Sequence, residues 1–263
     1  MNPKRRPAVC VLKTDGINCD EETANSFATA GGRPETVHVN ELRMGERNLR
    51  DYQILAIPGG FSYGDDVASG RILALELTSY LADQINDFVH HQNGLVLGIC
   101  NGFQVLVRTG LLPLGDIGEM QATLAPNDSG HFECRWINLR VEDNHACGFL
   151  EGMKGVVSYQ VAHGEGKFFA KPPELEQIEA QHLVVFRYCD SLGDPTQEYP
   201  LNPNGSLNAI AGICDPSGRI LGLMPHPERS IRRKQDPNWR RLPGLEPRGL
   251  AIFQGMVAYA AQM

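Results

Sequence analysis

The chain has 263 residues, of which 42% are hydrophobic and 21% are charged, and its net charge is −7. This composition predicts a folded globular protein rather than a disordered one, and the length suits one domain over residues 1–263. The acidic balance argues against a nucleic-acid partner, and no apolar run reaches the roughly 18 residues that a membrane helix needs.

Apolar runs that end at glycine or proline mark the predicted strands of the first half. In chain order we predict a buried strand at Ala8–Leu12, a helix at Asp20–Gly31, strands at Thr36–Val39 and Gln53–Ile57, one long amphipathic helix at Gly70–His91, and a buried strand at Leu95–Ile99. Continuous apolar strands that alternate with helices are typical of parallel sheets covered on both faces. The first half therefore predicts an α/β fold with a mostly parallel sheet flanked by helices.

The second half contains strand-like runs separated by turn residues. Its predicted elements are strands at Cys134–Val141, Leu183–Tyr188, Ala209–Cys214 and Ile220–Met224, a surface loop at Gly193–Gly205, and a closing helix at Gly249–Ala260. The segment Asp215–Gly218 between the last two strands predicts a hairpin turn. A smaller antiparallel element is therefore expected beside the parallel sheet.

The seven cysteines include no CxxC pair, so the sequence does not indicate a zinc site or another metal site. The apolar run at the N-terminus is too short for a signal peptide, which predicts a cytoplasmic protein with reduced thiols. Six cysteines are predicted to be small buried hydrophobic residues. The exception is Cys100.

Cys100 lies between a predicted strand and helix-forming residues, with Gly98 and Gly102 two positions away on either side. This is the pattern of a nucleophile elbow with cysteine in place of serine. Glycine leaves room for the sharp turn, and the positive end of the following helix favours the thiolate form of the cysteine. The pattern predicts a nucleophile at the carboxyl end of a strand.

A thiolate nucleophile needs a base, and the base needs an orienting group. Two segments have the form His-x-Glu, one at His226–Glu228 and one at His163–Glu165. Residues two apart in an extended chain point to the same side, so the carboxylate can reach the imidazole. Proline makes the first segment rigid, which favours His226 as the base and Glu228 as its orienter. Flanking glycines predict that His163 lies in a loose binding loop.

Two glycines, Gly59 and Gly60, follow the predicted strand Gln53–Ile57. Exposed backbone N–H groups at a strand end can stabilise an oxyanion. The N–H of Asn101, directly after the nucleophile, would be the second donor. We therefore predict an oxyanion site made by Gly60 and Asn101.

These motifs together resemble the class I (triad) glutamine amidotransferases. The resemblance rests on Gly98-x-Cys100-x-Gly102-x-Gln104 and on His226-x-Glu228. Further segments narrow it to the glutaminase subunits of phosphoribosylformylglycinamidine synthases, namely Gly16–Asp20, Gly59–Asp65, His163–Gly166 and Asn202–Ser206. The resemblance implies a flavodoxin-like glutamine amidotransferase fold.

The same resemblance implies that a triad of Cys100, His226 and Glu228 hydrolyses L-glutamine to glutamate and ammonia. The residues implied to hold the glutamine are Gly59, Phe61, Gln104, His163 and Gly164. It also implies a role in de novo purine biosynthesis, in a complex with a synthetase subunit and a small accessory subunit. No cofactor is expected in this chain, and ATP and Mg²⁺ are expected on the synthetase, because the chain has no Gly-x-x-x-x-Gly-Lys-Ser/Thr loop.

Two other functions remain open from the residues alone. A peptidase or deglycase of the same fold superfamily would use the cysteine elbow but would lack the late His-Pro-Glu loop. A subunit that senses oxidants through a reactive thiol would need no triad.

A basic stretch, Ile231–Leu245, follows Glu228 in a chain that is acidic overall. Arg232, Arg233 and Lys234 are predicted to form a docking surface for an acidic patch of the partner. The alternative is a solvated loop without a binding role.

Overall fold

The computed structural model describes residues 6–241, 244 and 246–263 of the chain. Met1–Arg5 therefore lie outside the described residues, as do Leu242, Pro243 and Leu245 of the predicted basic stretch. Among the described helices, none combines the length and the hydropathy needed to cross a membrane.

Eleven strands form one large sheet and one small sheet within this part of the chain. The strands are β1 (Ala8–Lys13), β2 (Arg33–His38), β3 (Ile54–Ile57), β4 (Leu95–Ile99), β5 (Ala122–Pro126), β6 (Glu133–Val141), β7 (Gly155–His163), β8 (Glu165–Ala170), β9 (Val184–Cys189), β10 (Ile210–Cys214) and β11 (Ile220–Leu223). The α-helices are α1 (Asp20–Thr29), α2 (Val39–Arg43), α3 (Arg71–Ser79), α4 (Ala82–Asn86), α5 (Asn101–Thr109), α6 (Pro172–Ala180) and α7 (Leu250–Ala260).

The large sheet has the strand order β2-β1-β3-β4-β11-β10-β9-β6-β7. Its first five strands are parallel, and every pair from β11 to β7 is antiparallel. The second sheet pairs β5 with β8 in the antiparallel sense. The predicted α/β class is confirmed: the first half of the chain builds four of the parallel strands, and the second half builds the antiparallel strands and the fifth parallel strand, β11. The hairpin turn at Asp215–Gly218 is confirmed as well, since it joins β10 to β11.

Helices cover both faces of the parallel strands, because right-handed crossovers that run in opposite directions along a sheet place their helices on opposite sides. On one side α1 packs against α7, where the rings of Phe27 and Phe253 meet edge to face with centroids 5.0 Å apart. The strands β1, β3 and β4 between the helix layers are almost wholly buried. Burial on both faces explains why these strands appear in the sequence as continuous apolar runs.

The predicted long helix at Gly70–His91 is wrong, because the chain leaves the helical conformation at Leu81 (φ −110°, ψ 6°). The structure has α3, then α4, then one π-helical turn at Asp87–His91. The hydroxyl of Thr78 donates to the carbonyl of Ala74 in the last turn of α3, a side-chain bond that competes with the helix ladder. Leu81 stays buried on the same face, so the apolar spacing survives the break and conceals it.

Strand β2 begins three residues earlier than the predicted strand at Thr36–Val39. It is an edge strand with few buried residues and a proline at position 34, so it lacks the apolar run of its neighbours. The strands β5, β7 and β8 and the helix α6 had no counterpart in the prediction. In the predicted surface loop Gly193–Gly205, Asn202 and Asn204 are buried, contrary to expectation.

Candidate active site

Four adjacent parallel strands, β1, β3, β4 and β11, end at the same edge of the large sheet. Each is followed directly by a segment that the sequence analysis singled out. These segments are Gly16–Asp20 after β1, Gly59–Gly60 after β3, Cys100 after β4 and His226–Glu228 after β11. The topology thus gathers motifs that are more than 200 residues apart in sequence, at the edge where open α/β sheets bind ligands.

Cys100 occupies the sharp turn between β4 and α5 with φ 52° and ψ −105°, a backbone conformation that is strained for any residue with a side chain. A Cβ atom on Gly102 would lie 1.9 Å from the carbonyl oxygen of Ile57, so only glycine fits there. The Cys100 Sγ lies 3.7 Å from the carbonyl oxygen of Ala162, at the end of β7. The geometry is that of the predicted elbow, with the thiol held at the strand end.

The imidazole of His226 and the carboxylate of Glu228 form a buried pair, with 2.5 Å between Nδ1 and Oε1. The backbone N–H of His226 donates to the carbonyl of Gln160 on β7, which fixes the loop after β11. Because the carboxylate accepts at Nδ1, we assign a proton to that nitrogen. The other ring nitrogen, Nε2, has no hydrogen-bond partner among the described residues, and it is the atom left for proton transfer.

The charge state of His226 follows from its neighbours. Burial opposes a charge on the ring, but the Glu228 carboxylate and the Cys100 sulfur outweigh this effect and raise the pKa of His226 well above its ordinary value. An imidazolium at His226 is therefore favoured at neutral pH. A protonated base beside the nucleophile is the arrangement in which a cysteine can react as a thiolate.

One predicted oxyanion donor, Asn101, directly follows this cysteine, and the other, Gly60, lies in the turn after β3. The turn after β3 is held by two bonds, from Phe61 N–H to the Gly16 carbonyl (2.9 Å) and from Cys19 N–H to the Gly59 carbonyl (3.2 Å). Neither bond uses the N–H of Gly60, whose φ of 143° is open to glycine alone. The N–H of Asn101 is at the first turn of α5, where helix N–H groups have no partner within the helix.

His163 does not lie in a loose loop, and that prediction is wrong. It is the last residue of β7, directly before the turn into β8, and its side chain is 2% exposed. The amide of Asn127 donates to the His163 carbonyl, and the Asn127 Oδ1 lies 3.1 Å from the His163 Nδ1. Since that Oδ1 can only accept, we assign the proton to Nδ1. Burial, with a smaller contribution from the charge of His226, lowers the pKa of His163 to about 3.

Comparison with known proteins agrees with this geometry. The family model described as a CobB/CobQ-like glutamine amidotransferase domain matches residues 6–260. The chain is similar to the phosphoribosylformylglycinamidine synthase subunit PurQ of Dehalococcoides mccartyi, with 47% identity over 96% of this chain and 97% of the relative. The PurQ subunit of Methanococcus maripaludis is 42% identical, again over 96% of this chain and 97% of the relative.

The chain belongs to the PurQ family of glutamine amidotransferases. Among solved structures it is similar to a chain of PurLQS from Thermotoga maritima, with a TM-score of 0.74, 29% identity, and coverage of 97% of this chain and 99% of that one. This likeness shows that the chain has the fold of a PurQ-family protein, in agreement with the predicted α/β class. The predicted nucleophile and base follow two of its parallel strands.

Two predicted glutamine-binding residues of this PurQ-family chain lie at the rim of the site. The ring of Phe61 is 42% exposed and stacks on that of Phe132, with centroids 6.3 Å apart. A Cβ on Gly164 would lie 3.9 Å from the Phe132 ring, so the turn between β7 and β8 borders the same pair. Their contact with glutamine stays a prediction.

Gln104 is buried and its amide is already bonded at both ends. Its Oε1 accepts from the Asn101 amide (3.0 Å), and its Nε2 donates to the carbonyl of Glu165 (2.5 Å). The Asn101 amide also donates to Asp65, and its oxygen accepts from the Ser62 N–H. These side chains join α5 to the loop after β3 and to the turn between β7 and β8. They hold together the three walls of the site, while a contact between Gln104 and glutamine stays a prediction.

Gly59 marks the point where three side chains converge. A Cβ atom there would lie 2.8 Å from the His226 Cε1, 3.3 Å from the Cys19 Sγ and 3.5 Å from the Cys100 Cβ. A side chain at position 59 would therefore push apart the predicted nucleophile and base. The turn after β3 thus contributes to the site by having no side chain.

Cys19 is the residue of this site that sequence reasoning missed, because it was grouped with the cysteines expected to be structural. It is buried, and its sulfur accepts a hydrogen bond from Arg229 Nη2 at 3.2 Å. Its place in the resemblance segment Gly16–Asp20 was the available signal. Of the other five grouped cysteines four are buried, but Cys134 is exposed, contrary to expectation.

Proposed function

We propose that the chain is the glutaminase subunit of a phosphoribosylformylglycinamidine synthase, which hydrolyses L-glutamine and supplies ammonia to a synthetase subunit. The observation that supports this most is the convergence of Cys100, His226 and Glu228 at the carboxyl edge of the sheet. It occurs in a chain that shares 42–47% identity with PurQ subunits over 96% of its length.

In the first half of the reaction the Cys100 thiolate attacks the side-chain amide carbon of glutamine. A C–S bond forms, and the carbonyl π electrons move to the oxygen, where the N–H groups of Gly60 and Asn101 stabilise the negative charge. The His226 imidazolium gives its Nε2 proton to the amide nitrogen, the C–N bond breaks, and ammonia leaves. A γ-glutamyl thioester remains on Cys100.

In the second half neutral His226 removes a proton from water, and the resulting hydroxide attacks the thioester carbon. The C–S bond breaks, the thiolate–imidazolium pair is restored, and the new carboxylic acid loses its proton to solvent and leaves as glutamate. Glu228 accepts a hydrogen bond from the Nδ1–H of His226 throughout, which fixes the tautomer and stabilises the charged ring. The raised pKa of His226 supports this cycle, because it keeps the proton on the ring for the departing ammonia.

Free ammonia is protonated in water and then no longer acts as a nucleophile, so a partner must receive it directly. The relative in Thermotoga maritima is described as part of PurLQS, which supports a synthetase and a small accessory subunit as partners here. We propose that ATP and Mg²⁺ belong to the synthetase and that this chain, as one domain over residues 1–263, needs no cofactor. Its proposed location is the cytoplasm.

Glutamate release and active-site labelling test this function. The chain mixed with its synthetase, ATP and Mg²⁺ should release glutamate from glutamine, and a chloroketone analogue of glutamine should label Cys100 alone. Cys134 is the matched control, because its thiol is exposed and has no part in the proposed mechanism. The label is located by mass spectrometry of the digested protein. Labelling of Cys134 without Cys100, or no glutamate release in the complex, would contradict the proposal.

The basic segment after Glu228 supports a second part of the proposal, the docking of the synthetase. The segment is anchored beside the site, because the Gln235 side chain donates to the Glu228 carbonyl and accepts from the N–H of Arg232. Arg232, Arg233 and Lys234 are exposed on this anchored turn. Since ammonia must pass to the partner near the glutaminase site, we propose that these cations meet an acidic patch of the synthetase.

Reversal of all three charges, with Arg232, Arg233 and Lys234 changed to glutamate, should slow association with the synthetase by about tenfold or more at low salt. Association is measured by surface plasmon resonance at several ionic strengths. The matched control reverses three exposed cations elsewhere, Arg43, Arg50 and Lys171. If both triple variants associate like the wild type at low ionic strength, the segment is a solvated loop and the docking proposal fails.

A further inference from the structure

Three different metal-ligating side chains meet beneath the predicted nucleophile. One ligand atom each of Cys19, His226 and Glu228 lies within 4.8 Å of the other two, and all three residues are buried. The sequence concealed this group, because position 19 is more than 200 residues from the other two. Thiolate, imidazole and carboxylate are the ligands that Zn²⁺ prefers in proteins.

Two atoms of this group lack hydrogen-bond partners among the described residues. These are the Nε2 of His226 and the Oε2 of Glu228, both at less than 2% residue exposure. Buried polar atoms are normally satisfied by a partner. The mechanism uses Nε2 for proton transfer, but it leaves the second carboxylate oxygen without a role.

A cation already lies against this group. The Arg229 guanidinium donates to the Cys19 sulfur at 3.2 Å, and its Nε lies 3.9 Å from the Glu228 carboxylate. The sulfur and the carboxylate therefore attract positive charge to this place. The Arg229 side chain is about one third exposed and has a second partner in Glu22, 3.5 Å away, so it can leave without becoming unpaired.

We propose that Cys19, His226 and Glu228 form a binding site for a thiophilic divalent cation such as Zn²⁺, and that the bound ion inhibits the glutaminase. The inhibition part rests on the proposed function, because the ion would occupy the base and its orienting carboxylate. No free lone pair on His226 would then remain to accept a proton from water.

The charges balance on binding. The Cys19 thiol, which donates to the Asn18 side chain at 3.3 Å, and the His226 imidazolium each release a proton to solvent, and they become a thiolate ligand and a neutral imidazole ligand. One thiolate and one carboxylate neutralise the divalent ion, and neutral imidazole adds no charge. Zn²⁺ bonds of about 2.0–2.3 Å require the three side chains to close around the ion. The fourth position of a tetrahedral ion remains for water or for the Cys100 sulfur.

A direct binding measurement tests the site independently of catalysis. Zinc binding to the full chain is measured by competition with a chromophoric chelator, and Co²⁺ serves as an absorbing substitute whose near-ultraviolet band reports a thiolate ligand. Wild type and Cys134→Ser, which removes an exposed thiol elsewhere, should bind one ion. Cys19→Ser should bind at least about tenfold more weakly and lose the Co²⁺–thiolate band. Arg229→Gln should bind more tightly, because the competing cation is gone.

Two outcomes would overturn the site. The first is that the wild type does not bind zinc stoichiometrically. The second is that Cys19→Ser binds zinc like the wild type while Cys100→Ser loses zinc binding, which would place the ion on the nucleophile instead. Inhibition is read separately, as glutamate release by the synthetase complex with and without Zn²⁺ and after a chelator. Binding by a chain that never releases glutamate would refute the proposed function and leave the site intact. Binding with glutamate release unaffected by Zn²⁺ would refute the inhibition.

Discussion

Cys100→Ser should abolish glutamine-dependent synthesis by the complex, by about three orders of magnitude or more, while ammonia-dependent synthesis by the synthetase continues. The hydroxyl has nearly the same shape as the thiol but is a far weaker nucleophile beside an imidazolium. In the proposed function the ATP-dependent chemistry belongs to the synthetase and does not need this residue. Product formation is measured with saturating glutamine and, separately, with a saturating ammonium salt.

The pairing of these two assays supplies the control, because the same complex serves in both. Cys134→Ser should leave both activities unchanged, since that thiol is exposed and has no part in the proposed mechanism. Loss of both activities in Cys100→Ser would show that the substitution damages the complex rather than the nucleophile. Full glutamine-dependent activity would remove Cys100 from the mechanism altogether.

His226→Ala should lower kcat for glutamate release by about 10³-fold or more with little change in KM, whereas His163→Ala should mainly raise KM. The protonation of the two histidines supports this assignment more strongly than the rigidity that proline gives to the His226 segment. His226 has a raised pKa and an Nε2 without a hydrogen-bond partner in the described part of the chain, so it can give and take a proton. His163 has a pKa lowered to about 3 and its Nδ1 is engaged by Asn127, so it stays neutral during turnover.

Steady-state kinetics of both variants in complex with the synthetase separate the two roles, and thermal melting checks that each variant folds. His163→Asn, which keeps a polar side chain in the buried site, is the milder companion of His163→Ala. A collapse of kcat in the folded His163 variants, with His226→Ala still active, would reverse the assignment of the base.

The elements that the sequence predicted well are those whose signal is local. The buried strands β1, β3 and β4 show continuous apolar runs, and the Cys100 elbow shows its glycines. The break at Leu81 could not be found in this way, because a bent pair of helices can bury the same apolar stripe as one long helix. The start of strand β2 was predicted three residues too late, because an edge strand buries too few residues to show an apolar pattern in the sequence.

The residues of the site also divide into those with a local sequence signal and those without one. The predicted nucleophile, base and orienter are named by short motifs, and the shared strand edge brings them together. The environment of His163 was misjudged, because glycine neighbours suggest mobility while the amide of Asn127, 36 residues away, determines burial and tautomer. Cys19 was missed since its importance lies in a contact with Arg229 that no local pattern records.

Strand β7 is the edge strand at the antiparallel end of the large sheet, and it contacts the candidate active site. It supplies the Gln160 carbonyl that holds the His226 backbone, and the Ala162 carbonyl that faces the Cys100 sulfur. The antiparallel part of the sheet is therefore required for the geometry of the site. A truncated protein with only the parallel strands would keep the predicted nucleophile but lose the backbone contact that holds the predicted base. An engineered version of this enzyme therefore needs both parts of the sheet.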